Sequence, residues 1–334
     1  MAVLAEAVTH YRAGGFPQSG APGSGGNVAA PGAALGADAA AAGTPPGLGL
    51  CGAVSDNEGH WSVAPERCAC GDRQSGLSTR WTKVKAIILS AGQGRRLLPL
   101  TERIPKCILP VRGRPLIGWQ IDALARCGID DVTAVVGFGA EAVETRLAEL
   151  YGPRRIRTLY NPFFASTDNL VSCWIARAEM HEDFLLLNGD TLFEAAVLER
   201  LLAAPEHPVT LAVSRKDRYD DDDMKVIRDR DRLVHVGKKL PADQVDAESI
   251  GMMTFRGDGP RLFRDAIERA LRTPEALRQW YLSLLDALAP RGVVYVQTVE
   301  ADGWTEVDSP FDLEAAAAPG AAWLAVAERP PVAA

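Results

Sequence analysis

Leu89-Ser90-Ala91-Gly92-Gln93-Gly94-Arg95-Arg96 sets a glycine-rich stretch directly after a short apolar run. Glycine lets backbone approach a ligand closely, and successive N–H groups can cradle phosphate oxygens. Two other glycine-rich readings fail. A dinucleotide fingerprint wants a third glycine where Leu97 stands, and a Walker A loop wants a closing Gly-Lys-Ser/Thr that is absent. Gly-x-Gly alone also fits an ordinary turn. The second chemical feature is Asp190, which closes Leu185-Leu186-Leu187-Asn188-Gly189-Asp190. A carboxylate there sits at the carboxyl end of a strand, where open α/β sheets bind ligands, but an aspartate opening a turn reads the same way. The segment Trp304-Thr305-Glu306-Val307-Asp308-Ser309-Pro310 carries two further acids, Glu306 and Asp308. Asp308 suits the N-cap of a helix starting near Pro310.

The elements that must position these groups alternate. Val84–Leu89 reads as a buried strand, Leu116–Cys127 as a helix stopped by Gly128, Val132–Val136 as a strand and Glu141–Leu150 as a helix. Ile156–Tyr160 and Phe184–Leu187 follow as strands around a helix over Asn169–Met180, capped by Asp168 or Thr167. Repeated β-α-β units imply a mainly parallel sheet with helices on both faces. The second half is strand-rich, with strands at Thr210–Val213, Met224–Arg228, Arg232–Val236 and Ile250–Phe255. Helices are expected at Pro260–Leu271 and Pro274–Leu288, then a strand at Val293–Val299.

Residues 1–81 differ in kind. Glycine, alanine and proline dominate, with few large apolar side chains, so the segment reads as a disordered extension. Cys51, His60, Cys68 and Cys70 lie there, but Cys-x-Cys is a poor zinc spacing and no second pair follows. A net charge of -7 argues against a protein that wraps nucleic acid through its phosphates. No apolar run is long enough to span a membrane, and the opening residues, lacking a basic stretch before an apolar core, do not read as a secretory signal. Six cysteines in 334 residues make no disulfide scaffold, so the expectation is a cytoplasmic protein with reduced thiols.

The longer pattern Gly92-x-Gly94-x-Arg96-x-x-Pro99-x-Thr101, then Pro105-Lys106-x-x-Leu109-Pro110-Val111 and Pro115-Leu116-Ile117, resembles the sugar-phosphate nucleotidyltransferase superfamily. The match is nearest to its phosphocholine cytidylyltransferase-like branch and runs from about Val84 to Leu313. The resemblance implies an α/β, three-layer Rossmann-like fold with a mixed, mostly parallel central sheet. It gives a domain over 82–327, with the acceptor-binding part at about 210–300. It implies that Leu89, Ala91, Gly92 and Gly94 wrap a nucleoside triphosphate, that Arg96 binds its β and γ phosphates, and that Lys106 neutralises charge near the α-phosphate. Asp190 and Asp308 would hold catalytic Mg²⁺, which prefers carboxylate and phosphate oxygens and calls for a second carboxylate; Glu306 is a weaker rival to Asp308, whose ligand and N-cap roles can both hold. Gly137, Asn169 and Ser172 would lie near the nucleotide. Arg95 departs from the usual Ser or Thr, which leaves its role open.

The implied reaction moves CMP from CTP to a small phosphorylated or phosphonate acceptor such as phosphocholine and releases pyrophosphate. A phosphate acceptor is mostly dianionic at neutral pH, so it needs no strong general base. Lys225 would serve catalysis at the acceptor phosphate, and Lys238, Lys239, Glu248 and Gly251 match segments lining the acceptor site, although Gly237 stands where the family has an acid. The run Asp220–Asp223 beside Tyr219, with Trp174, would suit a cationic head group or be plain surface and core. A sugar 1-phosphate or an inositol or cyclitol phosphate, with UTP, GTP or dTTP, is the alternative substrate set. A catalytically silent nucleotide sensor is the non-enzyme alternative.

Overall fold

The structure, a computed structural model, describes residues 84–299 and 303–318. The disordered extension expected over 1–81, its Cys51, His60, Cys68 and Cys70, and the outer limits of the domain at 82 and 327 lie outside those residues. The chain begins with β1 (Lys85–Ser90), a short hairpin of β2 (Pro110–Val111) and β3 (Arg114–Pro115), then α1 (Leu116–Arg126), β4 (Val132–Val136), α2 (Ala140–Tyr151) and β5 (Arg157–Tyr160). Next come α3 (Asn169–Ile175), β6 (Phe184–Asn188), β7 (Thr191–Phe193), α4 (Ala195–Leu202) and β8 (Val209–Ser214). The second half adds β9 (Lys225–Asp229), β10 (Arg232–Gly237), β11 (Ala247–Phe255), α5 (Gly259–Ala270), α6 (Leu282–Leu288), β12 (Val294–Thr298), β13 (Trp304–Glu306) and α7 (Pro310–Ala317).

One sheet runs in the order β5-β4-β1-β6-β11-β8-β12-β10-β9. Alternate residues of its strands feed two separate cores, as a strand covered on both faces requires. Ile87 and Leu89 of β1 and Leu186 of β6 pack with Leu170 of α3, Phe263 of α5 and Leu285 of α6. Ala86, Ile88, Leu185 and Leu187 pack on the opposite face with Ile121 of α1, Val143 of α2 and Leu198 of α4. This is the expected helix–sheet–helix layering. The sheet is mixed, as expected, but it is not mostly parallel. Parallel pairing joins β5, β4, β1 and β6, and recurs only between β8 and β12. The other pairings, β6–β11, β11–β8, β12–β10, β10–β9 and β11–β9, are antiparallel. The physical reason is loop length: β9 and β10 are joined by only Arg230 and Asp231, and a tight hairpin admits no parallel return. The β9–β11 pairing closes β11, β8, β12, β10 and β9 into a ring, so this half is partly barrel-like.

Three local expectations need correction. The helix over Pro274–Leu288 is a 3₁₀ turn at Pro274–Arg278, a break at extended Gln279, and α6. The helix over Asn169–Met180 is α3 followed by 3₁₀ turns at Ala176–Glu179, and the side chain of its N-cap, Asp168, makes no capping hydrogen bond. The N-cap of α7 is Ser309, not Asp308: Ser309 and Asp312 form a reciprocal capping box.

A third core cluster ties the loops at one end of the sheet together. Leu97, Val111, Trp119, Leu192, Val307 and Leu313 meet there, joining the glycine-rich loop to β2, α1, β7, β13 and α7. Trp119 Nε1 also donates to the Val111 carbonyl at 2.9 Å. Truncating wholly buried Leu97 to alanine costs about 2–5 kcal/mol and would loosen the loop it ends. Among the described residues no helix is long and apolar enough to cross a membrane.

Candidate active site

The glycine-rich loop leaves β1 at the carboxyl edge of the parallel strands and turns at Gly94, whose φ of 75° is left-handed. A Cβ at Gly94 would meet the Lys106 side chain at 2.9 Å, so glycine serves both the turn and the approach of Lys106. Thr101 Oγ1 donates to the Gly94 carbonyl at 2.8 Å and Gln93 Nε2 to the Thr101 carbonyl at 3.2 Å, which fixes the loop onto itself. Lys106 starts a single 3₁₀ turn whose three residues are all buried.

The Lys106 ammonium lies between two carboxylates. Its Nζ is 2.9 Å from Asp190 Oδ2 and 2.6 Å from Asp308 Oδ1. Burial alone would lower its pKa, but the two aspartates outweigh that and the net shift is upward. Arg96, exposed on the loop, reaches Asp308 Oδ2 at 3.2 Å and Asp222 Oδ1 at 3.1 Å. Strand pairing brings the two aspartates together: β13 pairs antiparallel with β7, and Val307 N–H donates to the Asp190 carbonyl at 3.0 Å. The capping box at Ser309 leaves the Asp308 carboxylate to Lys106 and Arg96. Glu306 joins the acidic cluster, and burial, then Asp190 and Asp308, raise its pKa well above the ordinary glutamate range.

Gln120 was not singled out from sequence, and it braces this turn from below. Its Nε2 donates to the Asn188 carbonyl at 2.7 Å and the Thr191 carbonyl at 2.8 Å, one on each side of Asp190. The residue is 1% exposed. Nothing in an amphipathic helix marks such a glutamine, because its partners are distant in sequence.

A cleft of about 360 Å³ opens above these groups. Of the residues expected at the nucleotide and metal, Leu89, Gly92, Gly94, Arg96, Lys106, Asn169, Asp190 and Asp308 line it, and so does Arg95. Ala91, Gly137 and Ser172 do not. Gly137 packs on Ala91, where an added Cβ would meet the Ala91 carbonyl at 2.6 Å. Buried Ser172 Oγ accepts from Asn161 Nδ2 at 3.1 Å. Asn169 Oδ1 accepts from the Tyr281 backbone N–H at 3.0 Å.

Of the residues expected at the acceptor, Lys225, Lys238 and Glu248 gather beside the acidic loop, whereas Gly251 lies against Asn188 of the cleft. The buried Lys225 ammonium donates to the Asp220 carbonyl, and to the Lys238 carbonyl at 3.0 Å, so it straps the loop to the end of β10. Lys238 Nζ is 3.1 Å from Asp222 Oδ1 and 4.6 Å from the Trp280 ring centre. Lys239 is exposed. Lys216, which sequence reasoning passed over, places its ammonium 2.7 Å from Asp223 and 2.8 Å from Glu248. The two carboxylates share that one cation unequally. Burial holds Glu248 up at about 7, while Asp223, despite some burial, is drawn below its ordinary value by Lys216 and the Asp220 N–H. The Lys216 ammonium is 5.8 Å from the Tyr219 ring centre. Trp174 is not free to wall a cation, since the Arg177 guanidinium covers its ring at 3.9 Å.

Among the described residues no three His, Cys, Asp or Glu side chains converge as an all-protein metal cage would need. Two carboxylates completed by substrate phosphates are the usual Mg²⁺ arrangement, and Asp190 and Asp308 fit it. Asp190 Oδ1 is buried without a hydrogen-bond partner, and the cation that bridges the pair here is Lys106.

A family model for the MobA-like NTP transferase domain matches residues 86–291. The chain is 43% identical over 123 residues to CMP-5'-(3-aminopropyl)phosphonate synthase of Streptomyces rubellomurinus, covering 37% of this chain and 20% of that protein. It is 36% identical over 111 residues to choline-phosphate cytidylyltransferase of Streptococcus pneumoniae, covering 33% and 47%. The chain thus spans less than half the length of either curated relative. The solved structure of the CTP:phosphocholine cytidylyltransferase from Streptococcus pneumoniae shares the fold, with a TM-score of 0.59 at 24% identity over 70% of this chain and 97% of that one.

Proposed function

This chain belongs to the MobA-like NTP transferase domain family, and on that premise we propose that it transfers CMP from CTP to a small phosphate- or phosphonate-bearing acceptor, releasing pyrophosphate. We assign the activity to the domain expected over 82–327. The observation that carries the reading is the Lys106 ammonium held between Asp190 and Asp308 beside the glycine-rich loop, within one cleft. Lys106, Arg96 and backbone N–H groups offer positive charge to a triphosphate, and the two aspartates offer oxygens to a divalent cation.

In this account Arg96 turns from Asp308 and Asp222 to the β and γ phosphates and offsets charge on the departing pyrophosphate. Lys106 turns from the aspartates to the α-phosphate, where charge grows in the transition state. Asp190 and Asp308 would hold Mg²⁺, which would supply Lewis-acid polarisation of the phosphoryl oxygens. The acceptor oxygen is already anionic at neutral pH, so the protein's contribution is alignment and charge neutralisation.

The acceptor side is the acidic loop. Asp223, Glu248 and the Tyr219 ring already surround a primary ammonium, that of Lys216, and Trp280 lies against that of Lys238. Such groups suit an acceptor whose far end is cationic. Two relatives named for a 3-aminopropylphosphonate product and for choline phosphate support that class.

The test is a matrix of CTP, UTP, GTP, dTTP and ATP against phosphocholine, 3-aminopropylphosphonate, inositol 1-phosphate and glucose 1-phosphate, with pyrophosphate detected. Release confined to CTP with a cationic acceptor is expected. Release only with a sugar or inositol phosphate would reject the acceptor class, and nucleotide binding without release from any pair would favour a silent sensor.

A further inference from the structure

Asn188 ends β6 two residues before Asp190 and lines the same cleft. Its side chain meets two specific neighbours. Tyr281 is fully buried, and its hydroxyl donates to Asn188 Oδ1 at 2.8 Å. Burial, the largest influence, raises the pKa of that phenol well above the tyrosine range, so it keeps its proton and remains a donor. Tyr281 is itself held at its backbone N–H by Asn169 Oδ1. An amide side chain has an acceptor end and a donor end, and Tyr281 fixes which is which.

The donor end, Nδ2, has no protein acceptor among the described residues. It lies against Gly251, where φ is 69° and an added Cβ would come within 2.4 Å of Nδ2. Any other residue there would be strained in backbone and would push the amide aside. A fully buried tyrosine and a bare Cα thus hold the amino group of a residue that lines the same cleft as the aspartates and Lys106.

We propose that Asn188 Nδ2 donates a hydrogen bond to a phosphorus-bound oxygen at the reacting centre, with Tyr281 as its positioning residue and Gly251 supplying the space. This rests on the transferase reading of the cleft. The oxygen belongs to the nucleotide α-phosphate or to the acceptor, and both offer the same anionic acceptor chemistry.

The experiment uses the full chain with Mg²⁺, CTP and phosphocholine. Binding of each substrate is measured by calorimetry, and turnover by pyrophosphate release, for Asn188→Ala, Asn188→Asp, Tyr281→Phe and the Asn188→Ala/Tyr281→Phe pair. Asn188→Ala is expected to cost about tenfold in affinity or kcat for the substrate that owns the oxygen, the size of one hydrogen bond to a charged group. Asn188→Asp should cost more, because a carboxylate repels that oxygen. Tyr281→Phe should cost a smaller factor that disappears once Asn188 is alanine, which a merely structural tyrosine would not do. A loss on CTP alone assigns the oxygen to the nucleotide, and a loss on phosphocholine alone assigns it to the acceptor. If Asn188→Asp fails to fold, Asn188→Ser takes its place. Both substrates bound and turned over within twofold by the Asn188 variants would overturn the proposal, as would an equal Tyr281→Phe loss in both backgrounds. A wild-type chain that binds both substrates but releases no pyrophosphate would instead reject the transferase reading, leaving the binding comparison to judge Asn188.

Discussion

Lys106 Nζ lies 2.6 Å from Asp308 Oδ1, joining residues 202 positions apart, and the same ammonium reaches Asp190 at 2.9 Å. One cation thus occupies the space between the two carboxylates assigned to Mg²⁺. On the proposed metal assignment, the lysine and the ion would compete for these carboxylates in the substrate-free protein. Lys106→Met removes the charge and keeps most of the side-chain length. It is expected to lower kcat by about one to two decades, the equivalent of roughly 1.5–3 kcal/mol. It should also tighten Mg²⁺ binding to the nucleotide-free protein. Calorimetric titration with Mg²⁺ checks the second effect, and weaker binding in the variant would contradict it.

Asp190→Asn and Asp308→Asn each remove one charge with little change of volume. Both are expected to cripple kcat while far-ultraviolet circular dichroism stays native. Near-native rates in both variants at limiting Mg²⁺ would refute the metal assignment.

Gln120→Leu leaves the Asn188 and Thr191 carbonyls without their shared donor. Two unsatisfied buried carbonyls cost about 2–4 kcal/mol of stability. If the clamp positions Asp190, the Mg²⁺ concentration for half-maximal turnover should also rise about tenfold, as for residues that orient a metal ligand. A loss of stability with an unchanged Mg²⁺ dependence would mean that Gln120 acts on folding alone.

Glu248 holds its proton up to a pKa of about 7 in the folded protein, raised from a value of 4.5. Between those two values the folded chain binds more protons at this site than the unfolded chain does. The contribution of Glu248 to stability therefore falls as pH rises from about 4.5 to about 7, and is flat outside that window. Glu248→Gln removes this slope. Melting temperatures of the two proteins across that range should converge at the acid end and diverge toward neutrality, with the variant gaining relative to wild type. Parallel curves would contradict the assignment.

How much of this was legible in the sequence depends on how local each feature is. The glycine-rich loop and Asp190 stand out locally, as glycines after a buried strand and an acid at a strand end, while Lys106 was singled out by the family resemblance; the structure brings all three to one cleft. Asp308 was ambiguous between ligand and N-cap. The nearby Ser309 and Asp312 form the capping box that takes the N-cap role from Asp308, a signal present in the sequence. Gln120 and Tyr281 could not be found this way, since their partners lie 68 to 93 residues away and their chemistry is hidden in apolar elements. The sheet was read as mostly parallel because the first half repeats β-α-β units; the short β9–β10 connection, which forces antiparallel pairing, weighed too little.

Lys225 shows the same limit at one residue. The resemblance put it near the acceptor phosphate, and in this structure its ammonium straps the acidic loop through the Asp220 and Lys238 carbonyls. Lys225→Met should loosen that loop and raise the acceptor KM by about tenfold, with the CTP KM unchanged within twofold. Steady-state kinetics with each substrate varied in turn gives the answer, and a rise confined to CTP would contradict it.

The central claim is that this cleft joins CMP to a phosphorus-bearing acceptor. Phosphorus NMR of the full chain incubated with CTP, Mg²⁺ and 3-aminopropylphosphonate or phosphocholine tests it most directly. The account predicts a new anhydride linking the cytidine α-phosphorus to the acceptor phosphorus, with one pyrophosphate formed per linkage and none without acceptor. Pyrophosphate or inorganic phosphate accumulating without that linkage, or no reaction with either acceptor, would contradict it.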